Sequence, residues 1–96
     1  MSPKERKQLK ILRNKLDILD NSFIKLLKKR SRLVNQVLKL KKYRSQIVDK
    51  KRISVILKNI KRKSVNNNID PKISKRIWKN MIAAFIDYER RNFKGK

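Results

Sequence analysis

Apolar residues recur along the first half of the chain in alternating steps of four and three. Leu12, Leu16, Leu19, Phe23 and Leu26 follow this spacing, then Arg30, then Leu33, Val37 and Leu40. Such a seam is a heptad pattern, and it predicts one long helix from about Glu5 to Tyr43. Neither glycine nor proline interrupts it. At 1.5 Å per residue that helix is on the order of 55 Å long, whereas a compact chain of 96 residues has a radius of gyration near ~12.5 Å. It is too long to be covered by its own chain. Packing along a second copy is therefore predicted.

Downstream, Arg44-Ser45-Gln46-Ile47-Val48 breaks the seam and reads as a loop. Asp49 is a good N-cap for a second helix over Lys50 to Ser64, with Ile53, Ile56, Leu57 and Ile60 as its inner face. Val65 to Asn68 reads as a turn. Asp70-Pro71 then combines an N-cap with proline at the first helical position, a strong start signal. The third helix carries Ile73, Ile77, Trp78, Met81, Ile82, Phe85 and Ile86, and fades by Phe93. Lys94-Gly95-Lys96 is expected to fray. No internal repeat or linker appears, so residues 1–96 are read as a single all-α domain of three helices.

Composition narrows the chemistry. There is no Cys and no His, which excludes disulfides, Cys/His zinc sites and His-based nucleophilic catalysis. The one glycine, Gly95, rules out a glycine-rich phosphate loop. Any catalysis must use Lys, Arg, Asp, Glu and amides. Thirty basic residues oppose seven acidic ones, for a net charge of +23. Twenty Lys, twelve Ile and nine Asn resemble the codon bias of an AT-rich genome, and the cations are spread along the whole chain. An affinity for polyanions follows from the charge whatever its origin. No apolar run approaches a membrane span, and the first residues lack the apolar segment of a secretory signal. The expectation is a soluble cytoplasmic protein, oligomeric because so short a chain builds a marginal core.

Three charged residues interrupt the apolar stripes. Arg30 lies on the first seam, and Lys41, eleven positions later, points within roughly 20° of it on a continuous helix. Glu89 extends the stripe of Trp78, Ile82 and Phe85. An unpaired charge in a core is costly. These residues therefore pair with one another, reach out to water, or line a pocket for a charged ligand. Snorkelling is the ordinary explanation for Lys41, and an internal ion pair or simple exposure for Glu89. Arg30, in mid-seam, points to a ligand or to a device fixing register. Arg13 lies seventeen positions before Arg30, about 25 Å along the helix, too far to share a small site in one chain. In an antiparallel pair of first helices, Arg13 of one copy reaches Arg30 of the other, giving two equivalent sites completed in trans.

The stretch Leu12-Arg13-Asn14-Lys15-Leu16-Asp17-Ile18-Leu19-Asp20 resembles the opening helix of the all-helical bacterial chorismate mutases. So do Leu27-Lys28-Lys29-Arg30-Ser31-Arg32-Leu33-Val34 and Lys39-Leu40-Lys41. Asp49-Lys50-Lys51-Arg52 is similar to the family's Asp-x-x-Arg, and Ile69-Asp70-Pro71 with Ile77-Trp78-Lys79-Asn80-Met81-Ile82 to its third helix. The ordered set covers about residues 9 to 92. The resemblance implies an intertwined homodimer of three-helix chains. It implies conversion of chorismate to prephenate by a Claisen rearrangement, on the route to Phe and Tyr, without cofactor or metal. By matched position it implies that Arg30 and the partner copy's Arg13 bind the substrate carboxylates. Lys41 would donate to the ether oxygen and touch a carboxylate. Asp49 would contact the ring hydroxyl and Arg52 the pocket edge, with Val37, Ile82 and Ile86 as walls.

Three positions depart from that pattern. Glu89 stands where members often carry Gln. A carboxylate would repel the charge developing on the ether oxygen, so Glu89 is expected to be protonated in the complex and to donate a hydrogen bond there. Ile53 replaces a Glu that helps hold the hydroxyl. Phe85 replaces a Ser. The last two changes are similar to a sister activity on the same fold, isochorismate-pyruvate lyase, while Asp49 favours the mutase. A third possibility, of another class, is a small basic helical nucleic-acid-binding protein. It lacks a recognition motif and an aromatic platform, so nucleic-acid binding is expected to be nonspecific at most.

Overall fold

The computed structural model describes residues 1–95. Three α-helices are present: α1 over Pro3–Leu40, α2 over Lys50–Asn66 and α3 over Pro71–Asn92, with a single 3-10 turn at Arg44–Gln46 between α1 and α2. No strand occurs among the described residues. The all-α expectation holds, with shifts at the helix ends. Ser2 and Glu5 set the start of α1 by a reciprocal capping box: the Glu5 amide donates to Ser2 Oγ at 3.2 Å, and the Ser2 amide to Glu5 Oε1 at 3.0 Å. These bonds hold the Glu5 carboxyl below its usual titration range. Asp49 caps α2 through the Arg52 amide (3.0 Å), and Asp70 caps α3 through the Lys72 amide (2.9 Å), with Pro71 in the first turn as expected.

The turn between α2 and α3 starts two residues later than its composition indicated. Asn68 adopts the left-handed conformation, φ 57°. Its amide donates to the Val65 carbonyl at 3.2 Å and the Ile69 amide to the Ser64 carbonyl at 2.9 Å. Together these form a Schellman cap, which an asparagine tolerates better than most side chains.

The chain divides into two compact units, Met1–Leu33 and Val34–Lys96. The first is the bulk of α1. Within it Leu12, Leu16, Leu19, Phe23, Leu26 and Leu33 keep between 47% and 61% of their surface exposed. A helix alone has nothing to fold its apolar stripe against.

The second unit holds the end of α1 and the paired helices α2 and α3. Leu38 and Ile47 are buried, and Ile53, Ile56, Leu57 and Ile60 of α2 are half-buried. So are Trp78, Met81, Ile82, Phe85 and Ile86 of α3. Ile73 and Ile77, earlier in the same apolar series of α3, are exposed. Ser74, between them in sequence, is buried instead. Ser64 is buried too and returns its hydroxyl to the Ile60 carbonyl at 2.6 Å, satisfying it inside its own helix. Tyr88 ties α3 to the last turns of α1 by donating to Asn35 Oδ1 at 2.7 Å. Lys94 and Gly95 follow α3 without regular structure, and Lys96 lies outside the described residues.

Candidate functional site

The end of α1 makes the site. Helical hydrogen bonding stops at Leu40, three residues short of the expected Tyr43. Lys41 therefore does not continue the seam; its amide closes a turn on the Leu38 carbonyl at 3.1 Å. The next amides find a side-chain acceptor instead. Gln46 Oε1 takes the Lys42 amide at 2.7 Å and the Tyr43 amide at 3.0 Å. The Gln46 amide donates to the Tyr43 carbonyl at 3.0 Å, and that of Ile47 to the Arg44 carbonyl at 3.1 Å. This 3-10 turn drives the Ile47 side chain into the core, at 4% exposure, and leaves its carbonyl facing Lys41.

Lys41 Nζ donates to both oxygens of Glu89, at 3.2 Å each, and to the Ile47 carbonyl at 3.4 Å. Glu89 is buried, with 8% of its side chain exposed, and the Lys41 side chain keeps 18%. A charge this deep persists only when paired, and of the three fates open to these residues the structure takes the first, mutual pairing. The fixed ammonium carries its charge at a defined point rather than on a mobile stem.

The second unit carries further candidates. Ile82, Phe85 and Ile86 lie on α3, half-buried, in the two turns before Glu89. Val37, one turn before Lys41, remains 48% exposed. Asp49 and Arg52 sit exposed at the start of α2, where Asp49 Oδ1 already accepts the Arg52 amide. Arg13 and Arg30 belong to the first unit, the former exposed and the latter half-buried. Seventeen residues of unbroken helix separate them, so they stay about 25 Å apart within one chain. Two contributors escape a reading of the sequence: the Ile47 carbonyl and the Gln46 side chain. Backbone acceptors carry no residue code. A Gln placed three residues after an unpaired amide (Tyr43) is the one trace that was there to be read.

What this arrangement offers is a localised cation paired with a buried carboxylate, in a cavity that Leu38, Tyr43, Tyr88 and Phe93 also line, and the chain has no thiol or imidazole. Such a site holds an anion or stabilises negative charge developing on a substrate atom. No helix of the described residues is long and apolar enough to cross a membrane.

Comparison with known proteins agrees with that chemistry. No curated protein and no solved structure matches the chain. The family model for chorismate mutase type II matches residues 12–90, a span that includes Arg13, Arg30, Lys41, Asp49, Arg52 and Glu89. With a match over most of its length and a three-helix, strandless fold, the chain belongs to the chorismate mutase type II family, a family of isomerases.

Proposed function

We propose that the chain converts chorismate to prephenate as a cytoplasmic homodimer, in a pocket completed by Arg13 of the partner copy. The observation that carries this reading is the Lys41 ammonium, fixed 3.2 Å from both oxygens of the buried Glu89. Chorismate is a dianion, so cations must hold it. Arg30 and the second copy's Arg13 take the carboxylates, with Arg52 at the pocket edge and Asp49 on the ring hydroxyl. Val37, Ile82, Phe85 and Ile86 exclude water and press the enolpyruvyl arm over the ring, which gives the reactive conformer.

The rearrangement breaks a C–O bond and forms a C–C bond in one step, with no proton abstracted. The ether oxygen gains negative charge as it departs. Lys41 stabilises that charge, and a donor of this kind in a dry site contributes roughly 3–4 kcal/mol. Glu89 serves best in the complex as a protonated acid. The substrate draws the Lys41 ammonium toward itself, and a protonated Glu89 then donates its own hydrogen bond to the ether oxygen.

The exposed seam of α1 supports the dimer. Burying the remaining half of Leu12, Leu16, Leu19, Phe23, Leu26 and Leu33 contributes about 1 kcal/mol per side chain, enough to hold two long helices together. Residues 1–96 then act as one functional domain. Purified protein offered chorismate and isochorismate separately tests the proposal. Prephenate from the first supports it. Salicylate and pyruvate from the second, with no prephenate, assign the lyase activity of the same fold instead. Tight duplex binding at physiological salt with neither turnover assigns a nucleic-acid role.

A further inference from the structure

One side chain with neither charge nor reactive group organises the turn after α1. Arg44–Gln46 form the 3-10 turn, and Tyr43 stands at its N-cap. The first amides of such a turn have no partner within it. Gln46 supplies one. Its Oε1 accepts the Lys42 amide at 2.7 Å and the Tyr43 amide at 3.0 Å, and its own amide donates to the Tyr43 carbonyl at 3.0 Å. This is the reach-back of a capping box, with Gln at the third position of the turn.

Gln46 is exposed, and so are Lys42 and Tyr43. Water would satisfy their amides equally well, so what the side chain adds is geometry. Its bonds fix where the next residue goes. The Ile47 amide donates to the Arg44 carbonyl at 3.1 Å, the Ile47 side chain is buried, and the Ile47 carbonyl lies 3.4 Å from Lys41 Nζ.

That carbonyl is the third acceptor of an ammonium that has three donors. The two Glu89 oxygens, at 3.2 Å each, leave Nζ free to swing about the line that joins them. An acceptor on another element stops the swing. In the proposed reaction the ammonium shifts from Glu89 toward the substrate oxygen. The Ile47 carbonyl, which does not titrate, is the contact that can be kept throughout.

We propose that Gln46 is a positioning residue: by holding the turn over residues 42–47 it sets the Ile47 carbonyl, and through it the place of the Lys41 ammonium. The effect on rate rests on the mutase reading; the effect on Lys41 does not.

Wild type, Gln46→Ala and Gln46→Glu, each as the full chain, are compared in two assays. The first is chorismate turnover. Displacing a reacting group by about 1 Å costs up to about 10²-fold in rate. A loosened turn still samples the native position, so Gln46→Ala is expected to lower kcat by about tenfold. KM is expected to stay within about twofold of wild type, because the substrate carboxylates are assigned to Arg13 and Arg30. Gln46→Glu offers a carboxylate oxygen to the same two amides and is expected to keep kcat within about threefold of wild type.

The second assay needs no substrate. Acetylation of lysine amines by an N-hydroxysuccinimide ester, read by mass spectrometry, compares Lys41 with its exposed neighbours Lys39 and Lys42. In the wild type Lys41, with 18% of its side chain exposed, is expected to react more slowly than either. Gln46→Ala is expected to raise the Lys41 rate at least about threefold relative to theirs, and Gln46→Glu to leave it at the wild-type value. Unchanged Lys41 labelling in Gln46→Ala overturns the proposal, as does changed labelling with unchanged kcat. Loss of helicity in Gln46→Ala, on circular dichroism, overturns it too, since Gln46 is then merely structural. If the wild type does not turn over chorismate, the mutase reading fails, while the expected labelling pattern still supports placement of Lys41 by Gln46.

Discussion

Replacing Glu89 by Gln tests the core of the mechanism, because the substitution keeps the shape and removes the charge. In the free chain each Glu89 oxygen lies 3.2 Å from Lys41 Nζ. At an effective dielectric near 20, unit charges at that distance attract by about 5 kcal/mol before desolvation is subtracted. Most of this is offset by the burial of both groups. The introduced amide still offers one carbonyl acceptor, and the Lys41 stem, at 18% exposure, reaches water easily. The net loss of stability is therefore about 1–2 kcal/mol, a fall in Tm of roughly 4–15 °C for a chain of this size. Catalysis behaves differently. The amide is a permanent hydrogen-bond donor at the position where the proposed mechanism uses Glu89 as a donor, so kcat is expected to stay within about threefold of wild type. Glu89→Ala removes the donor and is expected to lower kcat by about 10²–10³. Loss of chorismate absorbance gives the rate, and thermal unfolding followed by circular dichroism gives the stability at fixed protein concentration. If Glu89→Gln is as slow as Glu89→Ala, the site needs the ionised carboxylate, and the donor role is refuted. Full activity in Glu89→Ala removes Glu89 from the reaction altogether.

The same geometry makes other outcomes testable. Arg13→Ala and Arg30→Ala are each expected to be nearly inactive, but an equal mixture, dissociated and reassembled, recovers about a quarter of the wild-type rate: half the dimers are mixed, and each mixed dimer has one intact site; no recovery refutes a pocket completed in trans. Lys41→Ala is expected to nearly abolish turnover with helicity intact on circular dichroism, and to destabilise the chain by about 3 kcal/mol, since Glu89 is left buried without its partner. Asn68→Gly is expected to leave stability unchanged or slightly raised, whereas Asn68→Val costs about 1–2 kcal/mol because its φ of 57° disfavours a branched side chain, as chemical unfolding measures. Because the Glu5 carboxyl titrates below its usual value, its capping contribution is complete at neutral pH and is lost as pH falls through the lowered value; amide exchange in the first turn of α1 is expected to quicken there, and not in Glu5→Gln.

The parts of the fold that were legible in the sequence are those written in local rules. Asp49 and Asp70-Pro71 announce helix starts because a cap bonds an amide two or three residues away, and the structure has both bonds. The apolar stripe of α1 was equally plain. Where α1 ends was not, because the end is decided from outside the helix. Lys41 is drawn to Glu89, forty-eight residues on, and Gln46 takes over the amides that the helix releases. Periodicity flagged Lys41 and Glu89 separately, as charges on apolar stripes. It offered mutual pairing as one of three fates but could not choose it, since the pairing exists only once α3 lies beside the end of α1. Ile73 and Ile77 fit the helical spacing, yet a helix packed on one side buries only part of a wide stripe.

A net charge of +23 raises the question of how an anion would find one site among thirty cations. Attraction does not separate them, because every surface lysine offers it. Order does. An exposed lysine must give up side-chain freedom worth up to about 2 kcal/mol to hold a ligand in one pose. Lys41 has given that up on folding, held by Glu89 and the Ile47 carbonyl. Most of its freedom is already spent, and in the proposed reaction only a short shift of the ammonium from Glu89 toward the substrate oxygen remains to be ordered. In the proposed mechanism, selectivity in so basic a chain therefore rests on a cation ordered before the substrate arrives, which is why substitutions at positions 41 and 89 discriminate more sharply than any change in overall charge.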